Sequence, residues 1–269
     1  MESLVIGAVA YSPNVVPIWE GMRDFCAEAD AAMDFVLFSN YGRQVDALLA
    51  GHIDIAWNTN LAYVRTVLRT AGTCRGLAMR DTDATFSTVF VAQAGSGMTG
   101  PHSIKGTRLA LGSRDSAQAA ILPLHYLRVA GVDVAELELI RFDTDIGKHG
   151  DTGRSELDAI DAVLAGDADA AAIGINTWDG IGREQLMPNA LEEVWRSEQY
   201  CHCIFTALGT LPEDRWRPWV TALLAMDWDR PEHRRILELE GLRRWVPPRL
   251  DGYRALFNAI DEQGIAATW

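Results

Sequence analysis

Hydrophobic positions along this chain change their period as they go. "SLVIGAVA", "MDFVLF" and "HIDIAW" are short apolar runs of the kind that make buried strands. Between and after them, apolar residues recur at three- and four-residue spacing, from about Val15 to Ala31, through "GRQVDALLAG", and through "NLAYVRTVLRT". That spacing puts them on one side of a helix. Strand–helix alternation predicts an α/β fold with a doubly wound, parallel sheet. In open sheets of this kind ligands sit beyond the carboxyl ends of the strands, which places Tyr11, Ser12, Asn58, Thr59 and Asn60 at a mouth.

The pattern then restarts. "TFSTVFVAQ" is a β-rich run, "TRLALGS" a strand ending on Gly112 and Ser113, and "SAQAAILPLHYLRVAG" a helix with Ser116 as its N-cap. "LELIRF" and "DAAAIG" read as strands. "SELDAIDAVLAGDA" reads as a helix opened by the capping pair Ser155 and Asp158. A second α/β lobe follows, with its own mouth at Ser113–Ser116 and at Asn176. "CIFTAL" is a return strand, and Trp-, Leu- and Arg-rich helices close the chain from Leu211 onward.

A chain of 269 residues suits two compact lobes, and a formal net charge of -13 argues against nucleic acid or an anionic membrane as partner. No apolar run reaches the roughly 18–20 residues of a spanning helix. The opening "MESLVIGAVAYSP" lacks the basic start and cleavage site of an export leader, so the expected location is cytoplasmic, or periplasmic if Met1 replaces a removed leader. Cys26, Cys74, Cys201 and Cys203 form no regular framework and are expected as thiols or ligands, not disulfides.

The passage "ALLAGHIDIAWNTNLAYV", continued by "GSGMTGPHSIKGTRLALGSRDSAQAAILPLHYLRVAGVD" and "AIDAVLAGDADAAAIGINTWD", resembles the phosphate/phosphite/phosphonate group of ABC-transporter substrate-binding proteins. The resemblance covers most of residues 4 to 210 and implies a type 2 periplasmic-binding-protein fold. Two α/β lobes would be joined by crossing strands near Ser87–Gln93 and Cys201–Leu208 and would close over a ligand in the cleft between them. Lobe 1 would comprise 1–88 and 205–269 with the C-terminal helices, and lobe 2 would comprise 89–204. The family's anion-binding loop after the third strand corresponds to Asn58-Thr59-Asn60, with its nearby aromatic kept as Tyr63. Its second-lobe Ser-Thr-Ser run corresponds to Ser116-Ala117-Gln118, where two hydroxyls are gone. A carboxylate used against aminoalkyl groups falls near the neutral Asn176, so an aminoalkylphosphonate is not the expected ligand.

Two clusters suggest chemistry of another kind. "YCHC" sets His202 between Cys201 and Cys203. On an extended strand the two thiols face one way and the imidazole the other. Such residues are metal ligands in zinc sites, which need three or four donors. The loop "FDTDIGKHGDTGRSE" gathers Asp143, Asp145, Lys148, His149 and Asp151 at the second mouth. His149 is a candidate ligand or proton shuttle, Lys148 a partner for a substrate carboxylate, and Asp145 and Asp151 general acid/base groups. Packed cysteines and a solvated polar loop are the plain alternatives.

The sequence thus leads to an expectation of a cytosolic enzyme on a binding-protein scaffold. Zinc, held by Cys203, Cys201 or both with His149 or His202, would drive hydrolysis or desulfuration of a small anionic carbon–nitrogen or carbon–sulfur compound. The alternative is the solute-binding component of an ABC importer for phosphonate, oxyanion or related anions, with an ABC permease as partner. A ligand sensor using the same clamp is a third reading.

Overall fold

Strand β1 (Leu4–Val9) is an interior strand of a five-stranded sheet, flanked on both sides, because its side chains are apolar on both faces. The computed structural model describes residues 3–184 and 189–269, and the chain divides into two units, 1–85 with 201–253 and 86–200 with 254–269. After β1 the first unit continues through α1 (Val15–Glu28), β2 (Met33–Phe38), α2 (Tyr41–Leu49), β3 (Ile55–Asn58), α3 (Asn60–Arg69), β4 (Cys74–Gly76) and β5 (Met79–Arg80). The second unit supplies β6 (Thr88–Gln93), β7 (Arg108–Leu111), α4 (Leu122–Val129), β8 (Glu138–Arg141), α5 (Arg154–Ala165), β9 (Ala170–Gly174), α6 (Ile175–Glu184) and β10 (Leu191–Arg196). The chain then returns to the first unit as β11 (Ile204–Leu208), α7 (Glu213–Leu224), α8 (Pro231–Glu240) and β12 (Trp245–Val246), and ends in the second unit with α9 (Arg254–Glu262).

In the first unit the strand order is β2-β1-β3-β11-β4. The pairs β1–β2 and β1–β3 are parallel, while β11 runs antiparallel to both of its neighbours. Phe205 of β11 is the centre of an aromatic core, with ring centroids 4.4 Å from Trp57 and 4.8 Å from Trp219. Trp219 and Trp245 thus build core, with Trp216 and Trp228 packed against it.

The second unit orders its sheet β10-β6-β9-β7-β8, with β7 parallel to β8 and β9 and with β6 antiparallel to β9 and β10. Strand alternation is read directly in β6. Phe90 and Ala92 pack with Leu109, Leu111 and Leu127 on one face, and Val89 and Val91 pack with Ile160 and Val163 on the other. These two mixed sheets bear out the α/β fold of the type 2 binding-protein kind.

Three details depart from the sequence reading. Helix α1 stops at Glu28, short of Ala31, because Asp30 takes a φ of 54° that an α-helix cannot continue. The unit boundaries fall at 85/86, 200/201 and 253/254, so the last helix belongs with the second unit and not with lobe 1. The reason lies in its amphipathic face: Leu256, Ala259 and Ile260 are buried, and Glu262 Oε2 lies 2.8 Å from His125 Nδ1 of α4. Helix α5 starts from Gly153 at φ 67°, so Ser155 sits inside the first turn and forms no capping box with Asp158.

Candidate functional site

Each unit presents residues beyond the carboxyl end of a strand. In the first unit, β3 ends on Asn58, and Thr59 caps α3 by accepting a hydrogen bond from Ala62 N at 3.3 Å. Asn58 is fully buried, its Oδ1 accepting from Gln44 Nε2 at 2.9 Å. Asn60 accepts from Leu61 N and donates through Nδ2 to Cys201 O at 3.4 Å. The Tyr63 ring lies tilted against Tyr253, centroids 4.6 Å apart, and burial pushes its hydroxyl up to about 12, with Cys74 adding to the shift. Tyr11 is half-buried, and Ser12 Oγ accepts from Asn14 N. The structure therefore brings Asn58, Thr59, Asn60 and Tyr63 together at one helix start.

In the second unit, β7 leads through Gly112 and Ser113 to Ser116, which caps a π turn (Ala117–Ile121) ahead of α4. Ser116 Oγ accepts from Ala119 N at 3.2 Å, as the N-cap reading expects. Ala120 N and Ile121 N are bonded to Ser116 O, so what this helix start can offer an oxyanion is the Ser116 hydroxyl proton and the positive end of the helix. Ser155 Oγ is fully buried without a hydrogen-bond partner, 3.1 Å from where a Cβ on Gly112 would stand. A buried hydroxyl left uncommitted beside a helix start is a further donor for an anion.

The 142–153 loop packs onto this turn. His149 has φ 53° and lies between Gly147 and Gly150, both also at positive φ. A Cβ on Gly150 would stand 2.6 Å from Ser116 Oγ and 2.8 Å from Gln118 Nε2, so only glycine allows the loop to seat there. The buried His149 places Nε2 4.0 Å from Asp115 Oδ2. Asp115 also accepts from Gly147 N at 2.7 Å. Burial pushes its carboxyl up, and the neighbouring Asp143 and Asp145 add to this. Gln118 is buried and bonded within the unit. Its Nε2 donates to Glu156 Oε1 at 3.0 Å, while Glu156 Oε2 accepts from Gly174 N.

Several expected roles change on this geometry. Asp145, expected as a general acid/base, is a structural cap. Its Oδ2 accepts from Ser155 N at 2.8 Å at the start of α5, and its Oδ1 accepts from Thr152 Oγ1. Ser113 Oγ is occupied by Asp145 N at 2.8 Å, which anchors the loop. Asp151 and Lys148 are half-buried and joined through the backbone, Asp151 N donating to Lys148 O. Asn176 is exposed in the first turn of α6.

The sulfur–imidazole triplet does not behave as a strand, because β11 begins only at Ile204. Alternation therefore fails, and His202 Nδ1 lies 3.1 Å from Cys203 Sγ and 3.4 Å from Asp83 Oδ1. Cys201 points elsewhere, with Sγ 3.3 Å from Arg249 O. Among the described residues, Asp83, His202 and Cys203 are the group whose ligand atoms come within 4.8 Å of one another. His149 belongs to the second unit, whereas this cluster belongs to the first.

The donor set does not fit a zinc ion. Arg80 already forks onto Asp83, Nε to Oδ2 at 2.5 Å and Nη2 to Oδ1 at 3.1 Å. Burial alone would raise the Asp83 carboxyl, but Arg80 and a hydrogen bond from His202 hold it down to about 2. A guanidinium at both oxygens supplies the positive charge that a metal would bring. Sequence reasoning missed Arg80 and Asp83, whose only signal was their three-residue spacing in "RDTD".

Comparison with known proteins supplies the context for both sites. The model of the family described as "ABC transporter, phosphonate, periplasmic substrate-binding protein" matches residues 11–253. A probable ABC transporter phosphite binding protein, PhnD1 of Prochlorococcus marinus (strain MIT 9301), is 23% identical over 244 residues, covering 86% of this chain and 79% of that protein. The structure of PhnD1 from P. marinus (MIT 9301) in complex with methylphosphonate superposes with a TM-score of 0.75 at 21% identity, covering 97% of this chain and 98% of that one. The periplasmic aliphatic sulphonate binding protein SsuA of Escherichia coli gives 0.68 at 17% identity, covering 99% and 94%.

These matches overturn the expectation of a metal-assisted hydrolase or desulfurating enzyme, since the family is one of binding proteins. The family is also periplasmic, which overturns the expected cytoplasmic location. No helix among the described residues is long and apolar enough to cross a membrane.

Proposed function

The chain belongs to the phosphonate ABC-transporter periplasmic substrate-binding family, and from that premise we propose that it is the solute-binding component of an importer for a small oxyanion, phosphonate or phosphite. The observation that carries this reading is the family match across residues 11–253. The relatives' ligands, phosphite and methylphosphonate, give the chemical class. An ABC permease is the partner this assigns.

The donor set at the second-unit turn supports the same class. A tetrahedral oxyanion accepts from hydroxyls such as those of Ser116 and Ser155 and is favoured at the positive end of a helix. Ala117 and Gln118 carry no hydroxyl, so the Ser116 hydroxyl and the helix end carry more of the binding here than they would in a Ser-Thr-Ser run. Recognition then rests on shape and charge around the P–O oxygens, and the neutral Asn176 offers no carboxylate to an aminoalkyl tail.

A panel of thermal melts tests the assignment, because a ligand that binds only the folded state raises Tm. Methylphosphonate and phosphite should raise Tm, and 2-aminoethylphosphonate should raise it less. An unchanged Tm with every phosphorus oxyanion at millimolar concentration contradicts the proposal.

A further inference from the structure

The π turn ahead of α4 has an identifiable origin. Ala120 N and Ile121 N both donate to Ser116 O, and Leu122 N donates to Ala117 O, so the helix opens in i→i−5 register. The return to i→i−4 register strands one carbonyl, and Pro123, lacking an N–H, strands a second. Those two carbonyls are Gln118 O and Ala119 O, and each has a donor, one from β6 and one from the residue after β7. Gly112 N donates to Ala119 O at 2.9 Å, and Thr88 Oγ1 donates to Gln118 O at 2.8 Å.

Thr88 is itself oriented. Its hydroxyl has one proton, already given to Gln118 O, so the 3.0 Å contact with Tyr200 must run from the tyrosine O–H to Thr88 Oγ1. Tyr200 pairs with Phe86 through two backbone bonds, at 2.8 and 2.9 Å. Residues 86 and 200 are the first and last of the segment that the second unit takes from the middle of the chain. A chain of hydrogen bonds thus runs from this paired stem, through Thr88, to the π turn that Ser116 caps. Next to that turn lies the fully buried, unpartnered Ser155 hydroxyl.

We propose that Thr88, oriented by Tyr200, is a positioning residue for anion binding: it fixes the π turn and thereby the Ser116 hydroxyl and the helix start. The inference rests on the reading of this turn as the anion site. Its action is indirect, because the Thr88 hydroxyl is spent on Gln118 O and reaches no ligand.

The test uses Thr88→Val, nearly isosteric but without the hydroxyl, and Thr88→Ser, which restores it. Calorimetry with methylphosphonate should show Thr88→Val weakening Kd about tenfold, the scale of one net hydrogen bond, and Thr88→Ser staying within about twofold of wild type on the same scale. Without ligand, hydrogen exchange at the amides of Ala119, Ala120 and Ile121 should quicken in Thr88→Val alone. Quickened exchange with unchanged affinity overturns the proposal, as does unchanged exchange. If wild type binds neither methylphosphonate nor phosphite, the ligand reading fails and the exchange measurement alone decides whether Thr88 holds the turn. If Thr88→Val does not fold, Tyr200→Phe replaces it. That variant should shift exchange and affinity in the same direction by a smaller factor, and no shift overturns the proposal.

Discussion

Arg80 holds Asp83 through two contacts, Nε to Oδ2 at 2.5 Å and Nη2 to Oδ1 at 3.1 Å, while Nη1 reaches Glu240 O at 2.9 Å. His202 Nδ1 stands 3.4 Å from the same carboxylate. Asp83 is completely buried, so the pair is one of the costliest charge arrangements in the first unit to disrupt.

Removing one partner should therefore hurt more than removing both. Asp83→Asn leaves the guanidinium with only the more distant Glu240 carboxylate, 3.8 Å away, and should lower the unfolding free energy by about 3 kcal/mol. The double variant Arg80→Met with Asp83→Leu should lose clearly less. Urea denaturation of the three proteins measures this, and a double variant as unstable as the single one contradicts the ion-pair account.

The same carboxylate gives a pH dependence with a definite sign. Its folded-state value, about 2, lies below the ordinary 3.8, so the ionised form is favoured by folding. That stability is fully present above about pH 4 and is lost as pH falls through about 2, where the folded protein at last takes up the proton. The contribution is about 2 kcal/mol. Urea midpoints from pH 5 to pH 2 should fall more steeply in wild type than in Asp83→Asn.

The chain's apolar patterning carried the fold far. Strands and helices alternate as their periods require, and Ser116 caps where an N-cap residue should. Charged residues were harder to place. Asp145 and Asp151 stand six residues apart in one glycine-rich loop, yet only coordinates reveal that Asp145 spends both oxygens on the start of α5. Cys203 and His202 looked like metal ligands because a sequence does not show that Arg80, over a hundred positions earlier, reaches their neighbour Asp83. The alternation argument at 201–203 failed because pairing with β3 begins only at Ile204.

Asp145 should behave as a cap and not as a catalytic group. Asp145→Ala removes the acceptor for Ser155 N and should cost about 1–2 kcal/mol of stability. Thermal unfolding measures the loss. Asp145→Asn, which keeps an oxygen acceptor, should recover part of it.

Gly150 is the position at which the loop is least tolerant. Gly150→Ala must bear a φ of 82° and a methyl group within 3 Å of both Ser116 Oγ and Gln118 Nε2. The left-handed conformation alone costs about 1–2 kcal/mol. Relieving the contact requires the loop to lift from the helix start. Phosphonate affinity should fall about tenfold or more, since 1.4 kcal/mol is already a factor of ten. An affinity equal to wild type in a folded Gly150→Ala protein contradicts the proposed anion site at this turn.

The most direct test is a calorimetric titration with methylphosphonate, followed by assay of the mixture for released phosphate. The account predicts saturable binding at one site per chain, with a Kd of about 1 µM or tighter, and ligand recovered unchanged. A flat titration, or ligand converted to product, contradicts it.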